Sequence, residues 1–306
     1  YNPPEGFFAT ANNNLTPPDY PYMDAIAFEW TDPYRWVRAV EVLGSGRRMN
    51  MTDMMRLQTD ALSVPARTIV PTLEALVATD GRTENARQRL LDWDYELDAG
   101  SIEAGIYVAW ERRITANLYD LMVPQAARSY ITSVPMRKQI EWLTYPSGKF
   151  GADPIAGRDA LLIRSLEEAV SGLRTSFGSD MNDWQYGQVG YKHVLLRHPL
   201  SGAVNERMRE RLEVGPLPRG GYGYTLLATG GGDNQTSGAS FRIIVDTSDW
   251  DRTVGMNNPG QGGDPDGPHY EDLFELWAAD RFHPVFYSRD KVEGVTESRL
   301  MLEPGR

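Results

Sequence analysis

The sequence predicts an α+β chain, and three observations carry that prediction. A β-rich apolar run, Gly6 to Ala11, stands near the start. Apolar residues then recur at spacings of three and four through the middle, and from Trp184 onward Gly-punctuated aromatic and β-branched runs return. Strand first, helices between and strands afterwards is the order of a sheet assembled from both ends of a chain around a helical insertion. The expected organisation is one composite domain. Residues 1–35 supply a sheet-core strand and turn, 36–183 the helical insertion, and 184–306 the strands and helix that complete the fold.

The opening run is read as a strand because aromatic and β-branched side chains suit a pleat, and it ends in Asn12-Asn13-Asn14 and a Pro-rich turn. After Arg35, the residues Trp36, Val37, Val40 and Leu43 mark a helix that Gly44-Ser45-Gly46 stops. Asn50 or Thr52 caps the next helix. Ser63-Val64-Pro65 opens another, expected to run to Asp80-Gly81, and Thr83 caps a short helix to about Trp93. Ser101 to Met122 carries an apolar stripe, Met136 to Leu143 follows, and Leu162, Leu166, Ala169, Leu173 and Phe177 mark an amphipathic helix from about Asp159. In the last third, Val194–Leu196 and Ala239–Val245 are strand candidates, Gly230 to Asn234 a turn, Met256 to Gly267 a loop and Tyr270 to Ala279 a helix.

Composition narrows the function. The chain has 306 residues, 31 basic against 42 acidic, for a formal charge of −11, which argues against a nucleic-acid partner. There is no cysteine, so disulfides, thiolate metal sites and a Cys nucleophile are excluded. No apolar run is long enough to span a bilayer, and Tyr1-Asn2-Pro3-Pro4 is not a signal peptide, so no membrane association is expected.

The stretch with the most chemistry in it is Gly6 to Arg35. An Asn that continues a strand presents an NH2 donor on a rigid element, and a donor held that way can stabilise a developing oxyanion. Asn12 fits that description better than Asn13 or Asn14, which turn chemistry explains. Ala11-Asn12-Asn13, Tyr20-Pro21, Asp24 and Tyr34-Arg35 resemble, in order, the post-strand motif of the penicillin acylase (penicillin amidase) family of N-terminal nucleophile hydrolases. Further matches are Gln58-Thr59-Asp60, His198-Pro199-Leu200, Gly238-Ala239-Ser240-Phe241-Arg242, Pro259-Gly260-Gln261, Pro268-His269-Tyr270-Glu271-Asp272 and Leu276-Trp277. They cover almost the whole chain.

The resemblance implies a part of the family's αββα sandwich and hydrolysis of a non-peptide amide, such as the acyl side chain of a β-lactam. It implies Asn12 as the oxyanion donor and Arg35 as the cation beside it, with Arg38 as the competitor for that second role. Where family members bind a structural calcium, Asp24 stands at one ligand position, and the other oxygens would come from segments before Tyr1; no cofactor is implied for catalysis. The nucleophile in this class is a Ser, Thr or Cys whose own α-amino group is the base. Tyr1 cannot serve, and the pairs Gly44-Ser45, Gly100-Ser101 and Gly178-Ser179 all follow Asn12, whereas the family's nucleophile precedes the Asn motif. The chain is therefore expected to be the C-terminal portion of a β chain, inactive alone. Its implied partners are an α chain and the N-terminal part of the β chain, joined as a heterodimer after self-cleavage, in the periplasm or secreted.

Two departures from the family pattern are visible. Tyr186-Gly187-Gln188-Val189-Gly190 replaces a Trp-Gly-x-x-His, and Gly262 stands where a Ser is usual. Alternatives to the amidase reading are a secreted small-molecule-binding or interaction module, and a hydrolase joining an internal Ser to His269. His269 otherwise reads as a structural hydrogen-bonding residue, and Asp264 and Asp266 as a turn rather than a calcium loop.

Overall fold

The structure, a computed structural model, describes residues 2–17, 19–27, 29–230 and 232–305. It is α+β, and by internal contacts the chain divides into two units. The first comprises Tyr1–Arg48, Leu57–Leu195 and Pro216–Gly238, the second Met49–Arg56, Leu196–Gly215 and Ala239–Arg306.

Helices build the first unit. They are α1 (Tyr34–Leu43), α3 (Val64–Ile69), α4 (Gly81–Leu91), α5 (Ile102–Met122), α6 (Met136–Thr144) and α7 (Pro154–Phe177), while α2 (Met51–Gln58) has residues 51–56 in the second unit. The long helices start where a side chain satisfies free N–H groups. Ser101 Oγ accepts from Ala104 N at 3.0 Å for α5, and Asp153 Oδ1 accepts from Ile155 N and Ala156 N, both at 3.1 Å, for α7. With Pro154 at its first position, α7 therefore begins five residues before the apolar stripe suggested.

Two other expected boundaries move for similar reasons. The helix opened by Ser63 ends at Ile69 and passes into a 3-10 turn, Val70–Leu73, because Pro71 has no N–H for the α ladder. Asp80, expected as a helix stop, instead caps α4 by accepting from Arg82 N at 2.9 Å and Thr83 N at 3.0 Å, the role assigned to Thr83. A carboxylate outcompetes a hydroxyl there because it also opposes the helix dipole.

The core of this unit lies where α5 meets α7. Trp110 is fully buried, and its Nε1–H donates to the Leu162 carbonyl at 3.0 Å; beside it pack Ile106, Ile114, Leu118, Leu166 and Leu173. Each such aliphatic side chain contributes about 1.5–3 kcal/mol on burial. Gly105 lets the chain after α7 approach, since a Cβ there would stand 2.2 Å from the Trp184 carbonyl oxygen.

The strand expected over Gly6 to Ala11 does not form. Residues 7–10 carry no regular secondary structure and 11–13 are a bend. A strand exists only where its N–H and C=O groups find a ladder partner, and among the described residues this segment has none.

After α7 the chain enters β1 (His193–Leu196), and α8 (Glu206–Leu212) precedes β2 (Val214–Pro218). In the first unit β3 (Thr229–Gly230) pairs antiparallel with β4 (Ser237–Gly238). In the second, β5 (Arg242–Ile244), β6 (Val254–Met256) and β7 (His283–Pro284) form an antiparallel three-stranded sheet in that order, with Ile243 opposite Gly255 and Gly255 opposite His283. Periodicity could not reveal β6 and β7, which have three and two residues.

The expected helix from Tyr270 shortens to α9 (Phe274–Ala278), followed by α10 (Arg289–Gly294). Backbone groups that would start it earlier are committed to the 259–262 loop: Leu273 N donates to Pro259 O at 3.0 Å and Gly262 N to His269 O at 2.7 Å.

Candidate active site

The three asparagines each do something different. Asn13 is buried; its Oδ1 accepts from Ala11 N and its Nδ2 donates to Asn14 O, both at 3.0 Å. Asn14 Oδ1 accepts from Thr16 N at 2.9 Å and from Thr16 Oγ1 at 2.6 Å, an Asx turn. Asn12 is left-handed, with φ 61°, a conformation Asn tolerates better than most non-Gly residues, and its side chain is exposed rather than folded back on its own turn.

What meets the Asn12 amide comes from the start of α1. Arg35 Nη2 donates to Asn12 Oδ1 at 2.8 Å, while the Thr31 hydroxyl donates to the Asn12 backbone carbonyl. A guanidinium only donates, so the atom it touches is the amide oxygen, and Nδ2 is left as a donor with no protein partner among the described residues. Arg35 is half-buried, and burial lowers its pKa from the ordinary arginine value.

The two arginines that competed for this position have separate tasks. Arg38 makes a fork with Asp60, with Nε at 3.1 and 3.0 Å from the two oxygens and Nη2 at 2.7 Å from Oδ2. That gives Asp60 of the Gln58-Thr59-Asp60 motif its partner. Nor does Asp32 neutralise Arg35: its carboxylate accepts from Met136 N at 2.8 Å and Arg137 N at 3.0 Å, closing the start of α6. Next to it, burial and then the Asp32 charge raise the pKa of Tyr34 well above the usual phenol value.

The penicillin amidase family model matches residues 1–294. The chain belongs to the penicillin amidase family. It is 29% identical over 311 residues to the penicillin acylase 2 proenzyme of a Pseudomonas species, a match covering 98% of this chain and 39% of that protein. It is 26% identical over 352 residues to the acyl-homoserine lactone acylase QuiP of Pseudomonas aeruginosa, covering all of this chain and 40% of that one. Thus the chain spans about two fifths of the length of these curated relatives. Among solved structures, a thermostable penicillin G acylase from Alcaligenes faecalis superimposes with a TM-score of 0.64 at 17% identity, over all of this chain and 58% of that one, which shows the shared fold.

Most other penicillin amidase motifs in the second unit have structural work. Arg242 is buried, paired with Asp280 at 2.8 Å and stacked 5.3 Å from the Trp277 ring centroid, while Trp277 Nε1 donates to the Ala239 carbonyl at 3.1 Å. Gly260 is held against the His269 strip so closely that a Cβ would stand 2.2 Å from the His269 carbonyl oxygen. His269 itself has both ring nitrogens against carboxylates, Asp272 at 2.8 Å and Glu297 at 3.2 Å, which raises its pKa. Neither nitrogen is left to activate a serine. Asp264 makes a turn, accepting from Asp266 N at 3.0 Å, and Asp266 pairs with Arg211.

Asp24 lies in a 3-10 turn, Met23–Ala25, and its side chain is outside the described residues. Among the described residues no group of three or more His, Cys, Asp or Glu is arranged to hold a metal ion, and no helix is long and apolar enough to cross a membrane. Sequence reasoning missed the Thr31 hydroxyl. Its only signal was the run Thr31-Asp32-Pro33 before a helix, which reads as ordinary N-terminal capping.

Proposed function

We propose that this chain is the C-terminal part of the nucleophile-bearing β chain of a penicillin acylase-type amide hydrolase, with Asn12 as oxyanion donor and Arg35 as the cation that orients it. Family membership supports amide hydrolysis as the chemistry, and the relatives are named as a penicillin acylase and an acyl-homoserine lactone acylase. The observation that carries the assignment is the Arg35–Asn12 bond of 2.8 Å, which engages the amide oxygen and leaves the NH2 for another acceptor. An anionic tetrahedral oxygen is such an acceptor, and a donor held in place beforehand needs no reorganisation as charge develops.

In the proposed reaction a hydroxyl from an N-terminal residue outside this chain attacks the amide carbon. The hydroxyl proton passes to the α-amine and the C=O pair moves onto oxygen, where Asn12 Nδ2–H stabilises it; the pair returns as the C–N bond breaks, the leaving amine takes that proton, and water then hydrolyses the acyl ester to the carboxylic acid and the free hydroxyl. Arg35 stays charged and beside the site, where it discourages protonation of the neighbouring α-amine. The partner segments are an α chain and the N-terminal part of the β chain, formed by self-cleavage of a precursor in the periplasm or outside the cell. Asp24 would supply one oxygen to a structural calcium completed by those segments.

The test is hydrolysis of a penicillin and of an N-acyl-homoserine lactone by the complete protein, read as release of primary amine. We expect turnover of at least one by the complete protein and none by the 306-residue chain alone. Turnover by the isolated chain would overturn the assignment of the nucleophile to another segment.

A further inference from the structure

We infer that Thr31 is a positioning residue for the oxyanion donor: its hydroxyl fixes the peptide that carries Asn12, and thereby the direction of the Asn12 amide. The inference rests on the proposed role of Asn12. No strand forms around Asn12. A donor on a ladder is held by backbone bonds on both sides, whereas Asn12 sits in an exposed bend in a left-handed conformation. Such a residue has few competing wells, but its own carbonyl and amide are free to turn unless something holds them.

Two groups hold them, one on each half of the residue. Arg35 fixes the side-chain oxygen, and the Thr31 hydroxyl fixes the backbone carbonyl. The first bond restrains the side-chain torsions and the second restrains ψ, adding to the Ala11 N–Asn13 Oδ1 bond that spans residue 12, and together they narrow the direction of Nδ2. Both come from one short segment, so its placement matters too. That segment is tied to the first turn of α6 by Asp32, which accepts from Met136 N at 2.8 Å and Arg137 N at 3.0 Å. Thr31 is therefore presented from a fixed turn, although its side chain is exposed.

Thr31 acts through Asn12 and touches no reacting atom, so its loss should appear in the chemical step. A donor displaced by about 1 Å can cost on the order of 100-fold in rate, and a partly ordered bend should lose part of that. In the complete acylase, Thr31→Val is expected to lower kcat about 10-fold while KM and the thermal midpoint stay close to wild type. Thr31→Ser, which keeps the hydroxyl, is expected to restore most of kcat.

Unchanged kcat in Thr31→Val, with a large loss in Asn12→Ala, would overturn the inference and leave the role of Asn12 standing. A loss in Thr31→Val that Thr31→Ser does not recover would also overturn it, because the hydroxyl would not be the cause. If Asn12→Ala itself keeps full kcat, the proposed oxyanion role fails first. Should Thr31→Val fold poorly, the Ser variant against an Ala variant at matched thermal midpoints carries the same comparison.

Discussion

Arg35 and Asn12 stand 23 positions apart in sequence and 2.8 Å apart in space, with the guanidinium on the amide oxygen. That polarity matters more than the proximity. A guanidinium has no acceptor, so it can engage only the amide oxygen, and both N–H bonds of Nδ2 stay available to another acceptor.

Replacing Asn12 by Ala in the complete enzyme removes the donor and should lower kcat by about 100- to 1,000-fold, with KM changed little, since the interaction belongs to the transition state. Steady-state kinetics on a penicillin or an acyl-homoserine lactone checks this. A rise in KM at constant kcat would instead make Asn12 a ground-state binding group.

Arg35→Lys tests geometry at constant charge. A lysine lacks the planar fork, and a shorter reach to Oδ1 should leave the amide free to flip, so kcat should fall roughly 10-fold while Arg35→Ala falls further. Equal activity of wild type and the Lys variant would mean that only charge matters at this position.

Glu96 supplies a pH test of the first unit's stability. Burial, and then the carboxylates of Asp60 and Asp98, push its pKa up from 4.5 to about 7. The folded state thus binds the proton more tightly than the unfolded one. Stability from this group is fully present below pH 4.5 and is lost as pH rises through 7. Because the side chain is only half-buried, Glu96→Gln should stabilise by about 1 kcal/mol at pH 8 and by nothing near pH 4. Thermal or urea melts at the two pH values decide it; an equal effect at both would show that the charge is not the cause.

In the second unit, Arg242→Ala removes a buried guanidinium from Asp280 and from the Trp277 face. Breaking a buried pair on one side typically costs about 3–5 kcal/mol, and the partial exposure of Asp280 points to the lower end. Urea melts followed by tryptophan fluorescence should show a loss of about 3 kcal/mol; a change under 1 kcal/mol would mark the pair as dispensable.

Gly260→Ala should destabilise by roughly 1–3 kcal/mol, because the new Cβ would press on the backbone carbonyl of His269 rather than on a movable side chain. A melt indistinguishable from wild type would show that this loop can give way.

The sequence by itself determined the α+β class, the helical middle and the family. Helices such as α5 were legible because a 3.6-residue period and a capping serine are local signals, confined to neighbours along the chain. Asn12 and Arg35 were legible as candidates through the order of their motifs. Tertiary structure decided what these residues touch. It gave Arg38 to Asp60 and Arg35 to Asn12, replaced the expected strand before Asn12 with irregular chain and a bend, and paired β6 with β5 and β7. Those outcomes depend on which distant donors and acceptors meet. A strand in particular has no stability of its own until another segment accepts its backbone hydrogen bonds.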